Sequence, residues 1–405
     1  MLEPALGWTV LSRDALRRAE AKLRNDEQGV RDEVGFLALH QGYANRFFPG
    51  TSVLQTRLRY ILFVPWLYEE ARNRNLSETP ERAISRMEIS LAGRLKRTGQ
   101  DGVIGGRSYP GPTSQPASMV YWTALGTWGI LRPTMSGTIP GRAVVNRMLV
   151  KRTMVPQLVD DDGEPTEEGL ELFSSIPRPP KEWTDKSASL TFDIQPDEAA
   201  FLRRHLSAVT RPGTPDKTSL LSSLVERALP VEEIQSPWDR TVMAIADTDD
   251  RAALRRAGRA SALAAIGRAI YSALVEELRE RDGNETPSHH RKQILKTIPQ
   301  YITPAKNLDI SSVEQDIPGI PPQFTTLLRE TQLWLNKGGH NYLDLLEVYQ
   351  KAEIRRKGTR SRLPSTPAAK KRRAEWGIED NTLAEPLSYR WYNVRRILSD
   401  LRSAS

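Results

Sequence analysis

The sequence predicts a mainly α-helical, multi-domain protein of 405 residues with a small winged-helix or β element. Three observations carry that expectation. Apolar residues recur at three- and four-residue spacing through most of the chain, most clearly over 250–281. The alternation that marks a strand is convincing in one place, SLTFDIQ near 188–195. The 28 prolines and 26 glycines cut the helical stretches into short units.

Taken in order, SRDALRRAEAKLR at 12–24 suits a first amphipathic helix, with Leu16, Ala19 and Leu23 on one face. A second is expected in RDEVGFLALHQGYANRFF. FPGTS then turns, and Ser52 with Gln55 matches a capping box, so a third helix is expected to begin near Val53. It would run through the nine-residue apolar stretch YILFVPWLY and carry Pro65 inside it, with Arg57 and Arg59 about 200° apart around its axis. One arginine is then expected near solvent, the other against an acid or carbonyl inside. Helices follow at 80–98 and in ASMVYWTALGTWGIL, separated by the glycine- and proline-rich segment DGVIGGRSYPGPTSQP. Residues 140–172 are compatible with part of a winged helix, and IPRPPKEW at 176–183 is a proline-rich connector. Further helices are expected at PDEAAFLRRHL, 250–281, 324–335, 341–356 and YRWYNVRRILSDL, with 355–373 as a basic mobile loop. These breaks divide the chain into segments 1–139, 140–183, 184–300 and 301–405.

Bulk composition limits the chemistry. The chain contains no cysteine, which excludes disulfides, thiolate metal sites and thiol catalysis and suits a cytoplasmic protein. No apolar run approaches the roughly 20 residues of a membrane span, and no signal-peptide pattern opens the chain. Net charge is +8, and residues 351–405 hold 14 Lys/Arg against 6 Asp/Glu, a difference of 14 − 6 = +8. The other 350 residues are balanced, so the basic excess lies wholly in the last segment, as a polyanion contact would place it.

No established catalytic motif is present. GVIGGR at 102–107 lacks a P-loop lysine and a preceding strand, and reads as a turn; backbone amides with Arg107 holding a phosphate is the alternative. The adjacent His289 and His290 read as exposed polar residues, since neighbours in sequence do not share a helix face. Asp160, Asp161, Asp162 and Glu164 fail the calcium-loop pattern and read as a solvated acidic turn. Asp14, Glu20 and Lys22 spell a nuclease-like set but spread around a helix. No metal or other cofactor is therefore expected, and no catalytic residue can be named. The residues that point to a partner are basic: Arg355, Arg356, Lys357, Arg360, Arg362, Lys370, Lys371, Arg372 and Arg373 in one segment, and Arg251, Arg255 and Arg259 at four-residue spacing on one helix face. Such groups neutralise phosphates regardless of base sequence. Trp376, Trp391 and Tyr392 could stack on bases or belong to the core.

FFPGTSVLQTRLRYILFVPW, together with LGW at 6–8, RDEVG at 31–35, VIG at 103–105, YWTALGTWGI, IPRPPKEW and YRWYNVRRILSDL, resembles an uncharacterised bacterial family, one of the domain-of-unknown-function groups. The resemblance implies no reaction and no catalytic residues. It implies company: DNA-modification and phage-defence genes encoding helicases, nucleases or methylases. The expectation is a non-catalytic component of such a complex that binds DNA and lies off the membrane. A metal-dependent nuclease of the same kind of system and a purely structural scaffold are the alternatives.

Overall fold

The computed structural model describes residues 33–73, 78–154, 171–285, 289–376 and 384–404. The helix expected at 12–24, and the residues 155–170 needed for a winged helix, lie outside these. The described chain is mainly α-helical. Its helices are α1 (Phe36–Phe47), α2 (Tyr60–Asn73), α3 (Pro80–Lys96), α4 (Ala117–Thr127), α5 (Arg142–Met154), α6 (Pro196–Ser207), α7 (Leu220–Glu226) and α8 (Arg240–Ile245). They continue as α9 (Thr248–Arg281), α10 (His289–Lys306), α11 (Ile310–Asp316), α12 (Pro322–Asn336), α13 (Leu346–Lys357), α14 (Pro367–Ala374) and α15 (Trp391–Arg402). The one sheet among the described residues is a small antiparallel hairpin of β1 (Thr210–Arg211) and β2 (Thr214–Thr218).

The 34-residue α9 is the spine. It is capped by Asp247, whose side chain accepts from the Asp250 amide, and α1, α8, α10, α11, α12 and α14 all pack on it. Its alanines and Gly267 let neighbours approach: a Cβ at Gly267 would fall 2.5 Å from the Phe36 ring. At its far end the buried Glu276 carboxylate accepts the amides of His289, His290 and Arg291 at 2.7, 3.1 and 2.6 Å. A charged acceptor thereby satisfies the free N–H groups that open α10. One contiguous hydrophobic cluster runs from Val34 to Leu401.

The apolar run Tyr60–Tyr68 is buried on every side within α2, with Pro65 inside the helix. Its aromatics meet Trp183 and Phe192 of the proline-rich and extended segments, with Phe63 and Trp183 stacked at 6.1 Å. Among the described residues no helix is long and apolar enough to cross a membrane.

Two local expectations fail for a common reason. Ser52 and Gln55 do bond, Gln55 Oε1 accepting the Ser52 amide at 3.1 Å, yet no helix starts at Val53; the segment 51–59 is a strap of turns. A helix there would need the carbonyls of Val53 and Gln55 for its own amides. Both instead accept from Asn393 Nδ2 of α15, at 3.1 and 2.8 Å. The amides of Thr56 and Arg57 donate to the Tyr121 hydroxyl, and that of Leu58 to Asp400. Likewise Leu190, Phe192 and Ile194 are buried as alternation predicts, but no strand pairs with them. Side chains bond this backbone instead: Arg59 reaches the Thr191 carbonyl and Gln100 accepts the Phe192 amide. Arg59 is buried in a two-pronged pair with Glu198, and Arg57 pairs with Asp400, so each arginine finds an acid.

The chain enters α15 through Tyr389 (φ 50°) and Arg390 (φ 65°), two successive non-glycine residues in the left-handed region. Tertiary bonds hold them there: Tyr389 donates to the Ala257 carbonyl, and Arg390 to Asn45 and the Thr51 carbonyl. Burial lowers the Arg390 pKa to about 10.

His40, beside Tyr389, is buried with neither ring nitrogen hydrogen-bonded. Burial, then repulsion from Arg390 and Arg268, lowers its pKa from 6.5 to about 4. The unfolded chain therefore binds the extra proton between those values, and stability present above pH 6.5 is lost as pH falls toward 4. The expected loss between pH 7 and pH 5 is about 2 kcal/mol. Urea denaturation of His40→Leu should show a smaller drop in midpoint over that interval than the parent chain; an equal drop would place the acid sensitivity elsewhere.

Candidate nucleic-acid interface

The basic segment 355–373 is an ordered structure, not a loop. α13 ends at Lys357, a 3₁₀ turn follows at Gly358–Arg360, residues 361–366 form a bent connector, and α14 completes it. The start of α14 is set locally: the Thr366 hydroxyl accepts the Ala369 amide at 3.2 Å and Pro367 occupies the first turn. The connector is fixed from below. The Leu363 amide donates to Glu353 Oε2 at 2.8 Å, while Glu353 Oε1 accepts the Tyr271 hydroxyl at 2.6 Å. Burial raises the pKa of both groups.

The nine cations of this segment divide into anchors and a surface. Arg373 is 2% exposed. Its guanidinium pairs with Asp282 at the end of α9 at 2.6 Å and donates to the carbonyls of Pro364 and Arg362. Lys357 and Arg362 both pair with Glu33. Lys370 stands 3.7 Å from Asp282 with its side chain 57% exposed. Arg355, Arg356, Arg360 and Lys371 are exposed, and Arg372 is half-buried. α13, the 3₁₀ turn and α14 touch in succession, so these exposed groups share one rigid platform. Arg355 and Arg356 close α13, and Lys371 and Arg372 close α14, where the helix dipole also favours cations.

The second predicted group is not brought to this platform. Arg259 and Asp282 are 23 residues apart on α9, which places their backbones about 35 Å apart. Arg251 donates to the carbonyls of Met243 and Ala246, and Arg259 to that of Asn307. Arg255 is exposed. In this stretch it is Arg256 that is committed to an acid, holding Asp316 at 2.6 and 2.7 Å. Of the aromatics, Trp376 and Trp391 belong to the core and Tyr392 is 61% exposed. His290, read as exposed, is buried against Trp376, with ring centroids 5.1 Å apart. Asp282, which sequence reasoning missed, anchors the platform; its place just after a long apolar stripe was the available signal.

Among the described residues no three His, Asp or Glu side chains gather to hold a metal ion. Asp14, Glu20 and Lys22, and the acidic stretch Asp160 to Glu164, lie outside the described residues.

A family model described as a family of unknown function, DUF6361, matches residues 4–298. The chain belongs to this family. No curated protein and no solved structure matches it. The DUF6361 match contains the strap at 51–59 and the arginines of α9, and stops before α12–α15. The basic platform thus lies in the part of the chain beyond the DUF6361 match, although α15 closes over the strap that lies within it.

Proposed function

We propose that the protein is a non-catalytic nucleic-acid-binding component of a cytoplasmic DNA-modification or phage-defence assembly. The α13–α14 platform would meet the phosphate backbone of DNA, and a helicase, nuclease or methylase would supply the chemistry. The observation that carries the reading is the platform itself. The chain's entire +8 excess falls within its last 55 residues, and Arg355, Arg356, Arg360, Lys370 and Lys371 are exposed on adjoining, ordered elements. Ordered cations can approach phosphates together without the ordering cost of a flexible loop. The α9 arginines make a second, weaker candidate contact, since Arg251 and Arg259 already serve backbone carbonyls.

The test is fluorescence anisotropy with labelled duplex DNA, single-stranded DNA and RNA over a range of salt. Five phosphate contacts, one for each of the platform's exposed cations, predict a log–log slope of about −4.5 on duplex DNA, at about −0.9 per phosphate. Absence of binding to all three at about 50 mM salt would leave the scaffold reading in its place.

A further inference from the structure

A small open cleft lies between α3 and the glycine-rich segment 102–116, with the start of α2 at its base. It is far in sequence from the basic platform and does not depend on it. Its polar groups are Glu88, Ser85, Thr113 and Tyr60, and its walls include Leu91, Ala92, Ile104 and Pro112. The segment is held close over the helix. The Tyr109 ring lies against Gly93, where a Cβ would fall 2.4 Å from it, and Gly105 crosses Ala92 with φ 79°.

The chemistry of the cleft disfavours a phosphate. The amides of Gly106, Ser108, Tyr109 and Gly111 are spent on turn carbonyls within the segment. The Ile104 amide donates to the Tyr60 hydroxyl at 2.8 Å. Arg107 points to solvent rather than lining the space. What lines it instead is a carboxylate. Glu88 Oε1 accepts the Ser118 amide at 2.7 Å, which fixes the group in place. Arg142, the nearby cation, donates to the Ser118 hydroxyl and does not pair with Glu88. Among the described residues no cation lies within ion-pair distance of Glu88, and burial raises its pKa. A carboxylate with no direct ion-pair partner among the described residues, Arg142 acting on it only at longer range, in a partly apolar cleft with hydroxyls on its rim, has the pattern of a small-molecule site.

The geometry points to this cleft as a binding site for a small organic cation, an amine or amidine on an apolar body, with Glu88 as its charge partner. The apolar body rests on Leu91, Ala92 and Ile104, and the protonated nitrogen donates to Glu88 Oε2. Ser85 and Thr113 offer further acceptors at the rim.

Calorimetric titration of the full chain with benzamidine, and with benzamide as its uncharged isostere, tests the assignment. Saturable one-to-one binding of benzamidine at least tenfold tighter than benzamide is expected. Glu88→Gln keeps an acceptor for the Ser118 amide and should abolish the preference while retaining the parent's thermal transition. Ala92→Phe, which fills the cleft, should remove benzamidine binding altogether. Equal binding of the two probes, a preference that survives Glu88→Gln, or full binding to Ala92→Phe would each overturn the assignment. Should either variant fail to fold, the parent's discrimination between the probes and the other variant still decide it.

Discussion

Glu198→Ala is expected to destabilise the protein by about 3–5 kcal/mol, the usual cost of removing one partner from a buried ion pair. Arg59 and Glu198 have side chains 3% and 2% exposed and are joined by two hydrogen bonds of 2.9 and 2.7 Å. Without Glu198 the guanidinium stays in the core with the Thr191 carbonyl as its remaining acceptor. Glu198 also accepts the Gln195 amide and so closes the capping box that starts α6. The pair therefore joins the strap, the extended segment around Thr191 and α6. Urea denaturation should show the loss. The double change Arg59→Met, Glu198→Leu should cost less than the sum of the single changes, because no charge is then stranded. A single-variant cost below about 1 kcal/mol would mean that water reaches Arg59 and that the pair is not holding these elements together.

The second large effect concerns binding. Arg360→Glu, Lys371→Glu and Arg372→Glu together should flatten the salt dependence on duplex DNA by about 2.7, three contacts at about 0.9 each, and weaken affinity at least about tenfold. The thermal transition should be unchanged, since these three side chains make no ion pair or hydrogen bond among the described residues and Lys370 and Arg373 remain to face Asp282. Arg373→Ala serves as the contrast. It leaves Asp282 with only the exposed Lys370 at 3.7 Å and frees the carbonyls of Arg362 and Pro364, so it should lower stability first. Unchanged DNA binding in the triple variant would remove the platform from the proposal.

The two outcomes mark where sequence reading works. The stripes in α3, α9 and α15 need one face and a neighbour, and spacing shows them directly. The strap was misread because its helix signal, Ser52 and Gln55, is outbid by Asn393 and Asp400, which take its carbonyls and an amide from the far end of the chain. No local window contains those competitors. The strand reading at 188–195 failed in the same way: alternation reports which side chains are buried, not what bonds the backbone. The basic segment is a different case. Thr366, Pro367 and the alanines after them are a helix start written locally, but the charge run drew attention to solvation instead. Charge alone could not separate Arg373 from Lys371, because the separation depends on Asp282, 91 positions away. The Glu88 cleft carried no sequence signal at all, since its carboxylate sits in an ordinary helical pattern and its significance comes from Ser118 and the segment folded over it.

The clasp of α15 on the strap also has a consequence in time. Arg390 reaches the Thr51 carbonyl across 339 positions of chain. At ribosomal rates of about 5–20 residues per second, the strap waits roughly 17–68 s for its partner to be synthesised. During that interval the apolar run Tyr60–Tyr68 is present without the helix that closes the strap beside it. Until α15 is made, the nascent chain carries apolar surface that is incompletely covered, the condition under which folding chains are most prone to aggregate.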